Sequence, residues 1–478
     1  MQGLLLAVCA FVFCVAQGRQ ALHGFDAYEA LVATQDGVGR PHGHFLYIPL
    51  ARAAWTVLSP FVPGAFEAMR ILSAAGVACG VFCAHRCAIA LRLRHPATVA
   101  VAVAVLPAAV YFGATVEVDG LVLGASSLGF WLWGVLARRR GIGLAAGVGS
   151  ATGLAAGLHG GMHLMCACAC VLFASRVLQR AARRRTLQQA WRGGLLILVA
   201  VATHVAIFAA AAAVCGHRGQ AAMAANAQLL SLPLDRVPVT LAQEWLLPYA
   251  PFSLLWLGCF RCRSLRWVGG AFASCLLGYL VLTTAVMGFF EQLGPELCER
   301  GSFLIGIAVP MVVLAAASLS HRLLLAAVVV AAVIAVVDVR RADWLPAPAG
   351  FAAALRDLAA REPLELWTSG LEREAGWVRK QVSSVNQLPV SALAHEIAVM
   401  ERYGLPVDAV RVAIWFDQRY DVLAAQGLSL LMTDEAMAAM RTDADARIRS
   451  LIEQHVPQHY RLEAVEHPPL RAWRVRRL

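Results

Sequence analysis

Long apolar segments recur along the first 341 residues of the chain. Each is near the length of about 20 residues with which a helix crosses a bilayer. The pattern therefore predicts a mainly α-helical, polytopic membrane bundle of about eleven spans, the eighth of which is interrupted by Pro248 and Pro251. The predicted spans are 4–16, 65–84, 97–116, 120–137, 142–158, 162–177, 195–215, 245–260, 268–290, 303–319 and 323–339.

The loops between these segments alternate in charge. Every second loop is rich in arginine and has no Asp or Glu, as in Arg138-Arg139-Arg140, whereas every Asp or Glu before Asp343 falls on the other side, in the remaining loops or at the span ends next to them. Short loops rich in Lys and Arg stay on the cytoplasmic side of a membrane. The alternation therefore predicts a cytoplasmic N-terminus and, with eleven spans, an outward C-terminus. The first segment could instead be a signal peptide cleaved near Ala16, although no positive residues precede it.

Composition supports a membrane protein. The chain is 59% hydrophobic, with a mean hydropathy of +0.63. The net charge of +11 does not indicate nucleic-acid binding, because the arginines lie at the ends of apolar segments, where they anchor at lipid headgroups. Lys380 is the only lysine among 41 basic residues, which is typical of a GC-rich bacterial genome. We therefore expect a multi-pass protein of the bacterial inner membrane; in a eukaryote the outward face would instead be the lumen of the endoplasmic reticulum.

The composition changes at Ala342, which predicts two domains. Residues 1–341 form the transmembrane domain, with an outward first loop at 18–64, and residues 342–478 form a small α/β domain outside the membrane. We expect the second domain to serve in binding or structure. The predicted elements are strands at 364–367, 410–415 and 428–432, a helical stretch from an N-cap at Thr433 towards Ile452, and a hairpin of 460–465 and 470–475.

The first outward loop concentrates polar residues. Asp26 and Glu29 are three positions apart and would share one face of a helix. His42 and His44 follow in a turn, and 45–58 is an amphipathic stretch that predicts a helix lying along the interface. Two carboxylates and two imidazoles could bind a divalent cation or supply a general base. The alternative is a solvated loop of ordinary polar residues.

Two further charged pairs lie at the outward ends of spans. Glu117 and Asp119 fall between two apolar segments, so they either cap the helices at the interface or line a polar cavity. Glu299 and Arg300 precede the tenth span. The planar donors of Arg300 could bind a phosphate, or the residue could be an ordinary interfacial arginine.

Two histidines lie in the outward loop before the sixth span. His159 and His163 are four positions apart, so a continuous helix would place them on one face. The pair could bind a metal, although the intervening Gly160-Gly161 argues against a continuous helix. The alternative is a polar lining or a hydrogen-bonded interfacial histidine.

These clusters, in this order, resemble a known family. The chain is similar to bacterial protein O-mannosyltransferase-like membrane proteins of the GT-C superfamily, from Phe25 to about Pro310. The family pattern D-x-x-E, then H-P-P-G-x-P-L-Y, then E-V-Y, G-L-x-x-x-H and E-x-G-x-(Y/F) is matched in turn by Asp26 and Glu29, by His42, Gly43, Leu46 and Tyr47, by Glu117-Val118-Asp119, by 153–159, and by Glu299, Gly301 and Phe303. The chain departs from the pattern in two places: the double proline is reduced to Pro41, and Asp119 replaces the tyrosine.

The resemblance implies a sugar transfer on the outer face. The donor would be a polyprenyl-phosphate-linked hexose, mannose in the family named. Asp26 would be the general base and Glu29 a second catalytic carboxylate, with His42 also positioning the acceptor or the base. The remaining candidate substrate-binding residues are His44, Tyr47, Glu117, Asp119, His159, His163, Glu299 and Arg300.

Two other functions remain open from the sequence. A transporter for a lipid or polyprenyl carrier is one, but the internal repeat that many transporters have is not visible here. A non-catalytic membrane scaffold is the other, and it stays open because the H-P-P-G motif is altered. The expected partners are the bilayer, a polyprenyl-phosphate sugar and an unidentified acceptor, with no certain cofactor beyond the optional divalent cation.

Overall fold

The computed structural model describes residues 1–18, 30, 34, 45–62, 64–184, 187–215, 237–291, 301–341, 351–369, 386–402, 406–468 and 470–478. The described residues up to 341 form one compact unit, and those from 351 onwards form a second. The first unit is helical, and the second combines helices with a five-stranded sheet.

Helices follow one another through the first unit. They are α1 Gln2–Gln17, α2 Tyr47–Leu58, α3 Ala65–Ala90, α4 Pro96–Ala104, α5 Pro107–Ala114, α6 Asp119–Arg139, α7 Ile142–Ala156, α8 Gly161–Arg184, α9 Leu187–Val214, α10 Val237–Thr240, α11 Phe252–Leu255, α12 Arg266–Glu291, α13 Ala308–Ser318 and α14 His321–Arg341. A π-helical turn, Leu241–Leu246, continues α10, and 3₁₀ turns at Trp256–Arg261 and Ser302–Ile307 follow α11 and precede α13.

Every predicted span coincides with helical structure. Among the described residues, six helices are long and apolar enough to cross a membrane, namely α3, α6, α8, α9, α12 and α14, and the bent pair α4–α5 would make a seventh span. Four shorter apolar helical segments account for the other predicted spans. The predicted membrane bundle is thus confirmed, while the number of eleven crossings stays a prediction.

Prolines explain where two predicted spans are broken. The helices α4 and α5 meet at 56°, and Pro107 is the first residue of α5. A proline ring lacks the N–H that would continue the preceding helix, so the chain bends there. The predicted span 245–260 is broken in the same way at Pro248 and Pro251, where a turn separates the π-helical segment from α11.

The second unit has a mixed sheet with the strand order β2-β1-β3-β5-β4. The strands β2, β1 and β3 are parallel, whereas β5 is antiparallel to β3 and β4. Its elements are α15 Phe351–Arg361, β1 Leu364–Thr368, β2 Asn386–Pro389, α16 Val390–Arg402, α17 Ala409–Ala425, β3 Ser429–Thr433, α18 Asp434–Thr442, α19 Ala446–Ser450, α20 Val456–His459, β4 Tyr460–His467 and β5 Leu470–Arg477.

Alternating strand residues divide the core of this unit between the two faces of the sheet. Trp367 lies in the larger cluster with Phe416 of α17, whereas its neighbour Leu366 packs with Leu355 of α15 on the other face. Successive side chains of a strand point to opposite faces. Helices therefore cover both faces of β1, whose successive residues Leu366 and Trp367 are both apolar, and all five residues of the strand are buried.

Most of the predicted elements of the second unit are confirmed, and one is wrong. The strands near 364–367 and 428–432, the hairpin, and the Thr433 N-cap, which accepts a hydrogen bond from the Ala436 N–H at 3.0 Å, are all present. The predicted strand 410–415 is instead the start of α17. Its buried residues, Val412, Phe416 and Leu423, follow a helical period. A mostly apolar run of six residues is too short to distinguish a buried strand from the start of a helix.

Candidate active site

Two buried carboxylates mark one end of the first unit. Glu117 lies in the short extended segment between α5 and α6, and Asp119 begins α6. Their exposed fractions are 7% and 3%. A carboxylate in an apolar bundle is costly unless it is paired or serves a function. The sequence left an interfacial cap or a polar cavity open for this pair, and its burial favours the polar cavity.

Helix packing holds the Glu117 backbone in place. The Ser73 hydroxyl of α3 donates to the Glu117 carbonyl at 2.7 Å. The two helices touch through glycines, since a Cβ on Gly76 would lie 2.4 Å from the Gly120 carbonyl oxygen. Small residues allow such close backbone contact in membrane proteins. The Gly76–Gly120 contact is thus what brings Ser73 within reach of Glu117.

Tyr47 joins this pair from α2, the helix that follows the predicted first loop. Its side chain is 2% exposed. Burial raises the pKa of the Tyr47 hydroxyl, and the nearby charges of Glu117 and Asp119 raise it further, which outweighs the opposite effect of the Ser73 hydroxyl. Tyr47 therefore stays protonated beside two carboxylates, and its buried hydroxyl has no hydrogen-bond partner among the described residues.

A third buried acid fixes Gly301, the residue that follows Arg300. The Glu244 carboxylate, in a residue only 1% exposed, accepts a hydrogen bond from the Gly301 N–H at 2.6 Å. The Tyr249 hydroxyl donates to the Gly301 carbonyl at 2.5 Å. Gly301 has φ +85°, a left-handed conformation that suits glycine. We call these three residues the Gly301 clamp.

The Gly301 clamp and the buried carboxylates belong to one region. Tyr249 interacts electrostatically with both Asp119 and Glu244. The Pro248 carbonyl accepts a hydrogen bond from the Ala108 N–H at 2.9 Å, which ties the turn before α11 to the start of α5. The structure thus brings together two motifs that are about 180 residues apart in the sequence.

The α7–α8 turn contacts the chain that leads into α2. The Leu46 N–H donates to the Gly157 carbonyl at 2.9 Å. Within the turn, Nδ1 of His159 accepts a hydrogen bond from the Gly161 N–H at 3.0 Å. Of the two options left open for His159, this supports a hydrogen-bonded histidine that shapes the turn.

His163 pairs with a histidine of another helix. Its Nδ1 lies 2.9 Å from Nε2 of His204 on α9, and Nδ1 of His204 lies 3.0 Å from the Thr152 hydroxyl on α7. Among the described residues, there is no group of three or more His, Cys, Asp or Glu that could hold a metal. The described side chains therefore supply no metal centre for His159 and His163.

Several predicted site residues lie outside the described residues. They are Asp26, Glu29, His42, His44, Glu299 and Arg300. Their roles remain predictions from the resemblance, and of the predicted site the structure describes Tyr47, Glu117, Asp119, His159 and His163.

Sequence reasoning missed residues that the structure adds to the site. Ser73, His204, Glu244 and Tyr249 were not selected, because each stands alone in an apolar or unremarkable stretch. A signal existed for His204, since an ionisable residue within a long apolar segment is a functional candidate by default. Arg70 was also missed: it lies one turn before Ser73 on α3 and donates to the Val15 carbonyl at 3.0 Å.

No family model and no curated protein sequence matches the chain. Solved structures do match in fold. ArnT from Cupriavidus metallidurans bound to undecaprenyl phosphate is 12% identical, with a TM-score of 0.53, and the match covers 99% of this chain and 97% of that one. ArnT from the same organism in the apo state is 11% identical, with a TM-score of 0.52, and the match covers 98% of this chain and 97% of that one.

The Archaeoglobus fulgidus oligosaccharyltransferase, in its complex with zinc and sulfate, has the same architecture. It is 11% identical, with a TM-score of 0.52, and the match covers 98% of this chain and 72% of that one. Because the alignments span almost the whole chain, they include both the helical unit and the α/β unit. The chain therefore has the GT-C membrane fold that these two proteins share.

Proposed function

We propose that the protein is a membrane glycosyltransferase that moves a sugar from a polyprenyl-phosphate carrier to an acceptor on the outer face of the membrane. The observation that carries the proposal is the fold match over almost the whole chain to ArnT, which was solved with undecaprenyl phosphate bound. The buried carboxylate cluster at one end of the helices supports it, because a scaffold has no need to bury charged groups there.

The reaction would be an inverting displacement at the anomeric carbon. Asp26 takes the proton of the acceptor hydroxyl while that oxygen forms a bond to the anomeric carbon. The bond between this carbon and the phosphate oxygen breaks, and the electron pair leaves with the polyprenyl phosphate. The donor carries its own activation, so no nucleotide is required outside the cell. One well-placed carboxylate suffices as base.

The described residues have defined parts in this proposal. Tyr47, Glu117 and Asp119 would bind sugar hydroxyls in a site from which water is largely excluded. The Gly301 clamp would set the position from which Arg300 reaches the donor phosphate, where positive charge stabilises the leaving group. Arg70 is a second arginine at this end of the helices. Glu29, His42 and His44 would position the acceptor and the base.

The proposal extends to the sugar and to the placement of the protein. Mannose is the proposed donor sugar, on the resemblance to the O-mannosyltransferase-like family. The domains are proposed to divide into 1–341 in the inner membrane and 342–478 in the periplasm, with the N-terminus cytoplasmic. The arginine-rich alternate loops support this orientation.

The test is release of the labelled sugar from radiolabelled polyprenyl-phosphate mannose by the purified protein in detergent, where water takes the place of the acceptor, with glucose and arabinose donors beside it. Asp26→Asn should reduce turnover by about 10²–10⁴-fold, the usual contribution of a general base. Asp36→Asn is the matched control, because it makes the same change in the same loop outside the motif. It should keep the parent's rate at equal thermal stability.

Other outcomes would redirect the proposal. Equal turnover by the parent and Asp26→Asn would show that the base is another residue. No turnover by the parent with any of the three donors would refute the transferase and leave the scaffold or the lipid-carrier transporter.

A further inference from the structure

A chain of polar side chains crosses three helices inside the membrane unit. It runs from Thr152 on α7 to His204 on α9 and to His163 on α8, with contacts of 3.0 and 2.9 Å. Thr152 and His204 are buried, whereas His163 is exposed. Ionisable groups inside membrane spans are costly and usually face a partner or a ligand. These hydrogen bonds connect the buried Thr152 hydroxyl to the accessible imidazole of His163.

The hydrogen bonds of this chain accommodate a positive charge at its exposed end. A protonated His163 must donate from Nδ1, so Nε2 of His204 accepts and its Nδ1–H donates to Thr152. The single proton of the Thr152 hydroxyl then goes to the Val148 carbonyl, which lies 3.0 Å away in the preceding turn. Every atom of the chain keeps a compatible partner in this state.

The surroundings of His163 leave room for a ligand. Its ring packs edge-on against Phe208, with 4.5 Å between the ring centroids, and Phe208 in turn contacts Phe45 at 5.6 Å. Nδ1 faces His204, so Nε2 is the ring nitrogen left to bind a ligand. Among the described residues, a Cβ on Gly160, in the same turn, would meet no atom within 4 Å. His163 lies at the first turn of a membrane helix, so its Nε2–H is placed to meet an anion at headgroup depth.

We propose that His163 binds the phosphate of a membrane lipid through Nε2–H, and that His204 and Thr152 are positioning residues that hold its ring in place through hydrogen bonds. A phosphate oxygen accepts from Nε2–H in a charge-assisted hydrogen bond, the stronger kind. The lipid tail lies along the apolar surface of α9, where Val201 and Val205 are exposed. If the lipid is the polyprenyl donor, this inference rests on the proposed function. If the lipid is a phospholipid, the inference stands independently of that function.

The experiment measures binding of farnesyl phosphate to the full-length protein in nanodiscs, with farnesol as the phosphate-free probe. His163→Phe keeps the ring and removes both nitrogens. It should weaken farnesyl phosphate binding about tenfold or more, the loss of one charge-assisted hydrogen bond, and leave farnesol binding unchanged. His321→Phe, the same change at the first residue of α14, is the matched control and should bind as the parent does.

The positioning residues are tested by substitutions that keep their volume. Thr152→Val removes the oxygen that accepts from His204, and it should raise the KM for the lipid donor about threefold, the net worth of one hydrogen bond, without lowering kcat. Thr152→Ser restores the hydroxyl and should restore the KM. A merely structural loss would change farnesol binding as well and would not be rescued by serine alone.

The outcomes separate this proposal from the proposed function. If His163→Phe binds farnesyl phosphate like the parent, or if the parent does not bind it, the phosphate site is refuted even where transfer is observed. Dihexanoylphosphatidylglycerol tests the source of the phosphate. Equal losses for both lipids in His163→Phe would indicate a general headgroup site, and a loss for farnesyl phosphate alone would indicate the carrier. Transfer that is absent while His163-dependent binding persists would refute only the transferase.

Discussion

Replacing Gly301 by alanine tests whether the Gly301 clamp holds the structure together. At φ +85° an L-residue is strained by about 1–2 kcal/mol. The added Cβ would also lie 2.8 Å from Cε2 of Tyr249 and 2.9 Å from Cβ of Pro248. Both are closer than carbon atoms approach without displacement, and overpacking of this kind costs about 1–3 kcal/mol. Since alanine also restricts the unfolded chain and recovers about 0.4–1 kcal/mol, we expect a net loss of about 2–4 kcal/mol.

Two glycines of the same chain separate the two contributions. Gly427 has φ +71°, but an added Cβ would meet no atom of the described residues within 4 Å, so Gly427→Ala carries the backbone strain alone and should cost about 1 kcal/mol or less. Gly278 has the same open space inside the helix α12, without a positive φ. Gly278→Ala should be neutral or stabilise by up to about 1 kcal/mol, because glycine is unfavourable in a helix.

The assay is thermal unfolding of the full-length protein in detergent, with hydrogen exchange to assign each transition to the helical or the α/β unit. Gly301→Ala should lower the midpoint of the helical unit by about 4 °C or more. Gly278→Ala should not lower it, and Gly427→Ala should affect only the α/β unit. A Gly301→Ala protein as stable as Gly278→Ala would refute the contact geometry of the clamp.

Two further predictions concern the α/β unit. Arg419 pairs with Glu365, whose side chain is fully buried, so Arg419→Ala should lower the free energy of unfolding in urea by about 3–5 kcal/mol, because it leaves a buried charge without its partner. Arg361→Ala, which breaks the exposed pair with Asp357, should cost about 1 kcal/mol or less. Equal costs for the two variants would contradict this prediction. Burial opposes ionisation of Asp417, but hydrogen bonds, first that from His455, outweigh it and lower its pKa below the ordinary 3.8. The stability that ionised Asp417 contributes is complete above its ordinary pKa of 3.8 and is lost as the pH falls through the pKa of the folded state. The urea midpoint of Asp417→Asn should therefore fall less steeply below about pH 4 than that of the parent. The same acid profile in both proteins would refute the contribution of Asp417.

The membrane character of the chain could be predicted because it is written in local sequence. Apolar segments such as 323–339 need no partner to be recognised, since the cost of leaving lipid acts on each helix separately. The hairpin of β4 and β5 was equally accessible, because the turn at His467-Pro468-Pro469 and the flanking strands are adjacent in the chain. Periodicity failed at 410–415, where a short run fits both a strand and the start of a helix.

The candidate site was accessible only in part. The sequence selected Tyr47, Glu117 and Asp119, and the structure brings these three together. It did not select Glu244, since one carboxylate near a proline-broken segment has no distinctive spacing. Its role appears only when Gly301, 57 residues later, donates to it.

The sequence by itself determined a polytopic helical protein with a separate α/β domain, because hydrophobicity, proline and charge act on short stretches of chain. Tertiary structure alone decided which isolated polar residues meet. The carboxylate of Glu244 gained Gly301 as its partner, and His163 gained His204, through contacts between segments far apart in sequence. Such pairs form because a buried polar group must find a hydrogen bond within the bundle, and which group it finds depends on how the helices pack.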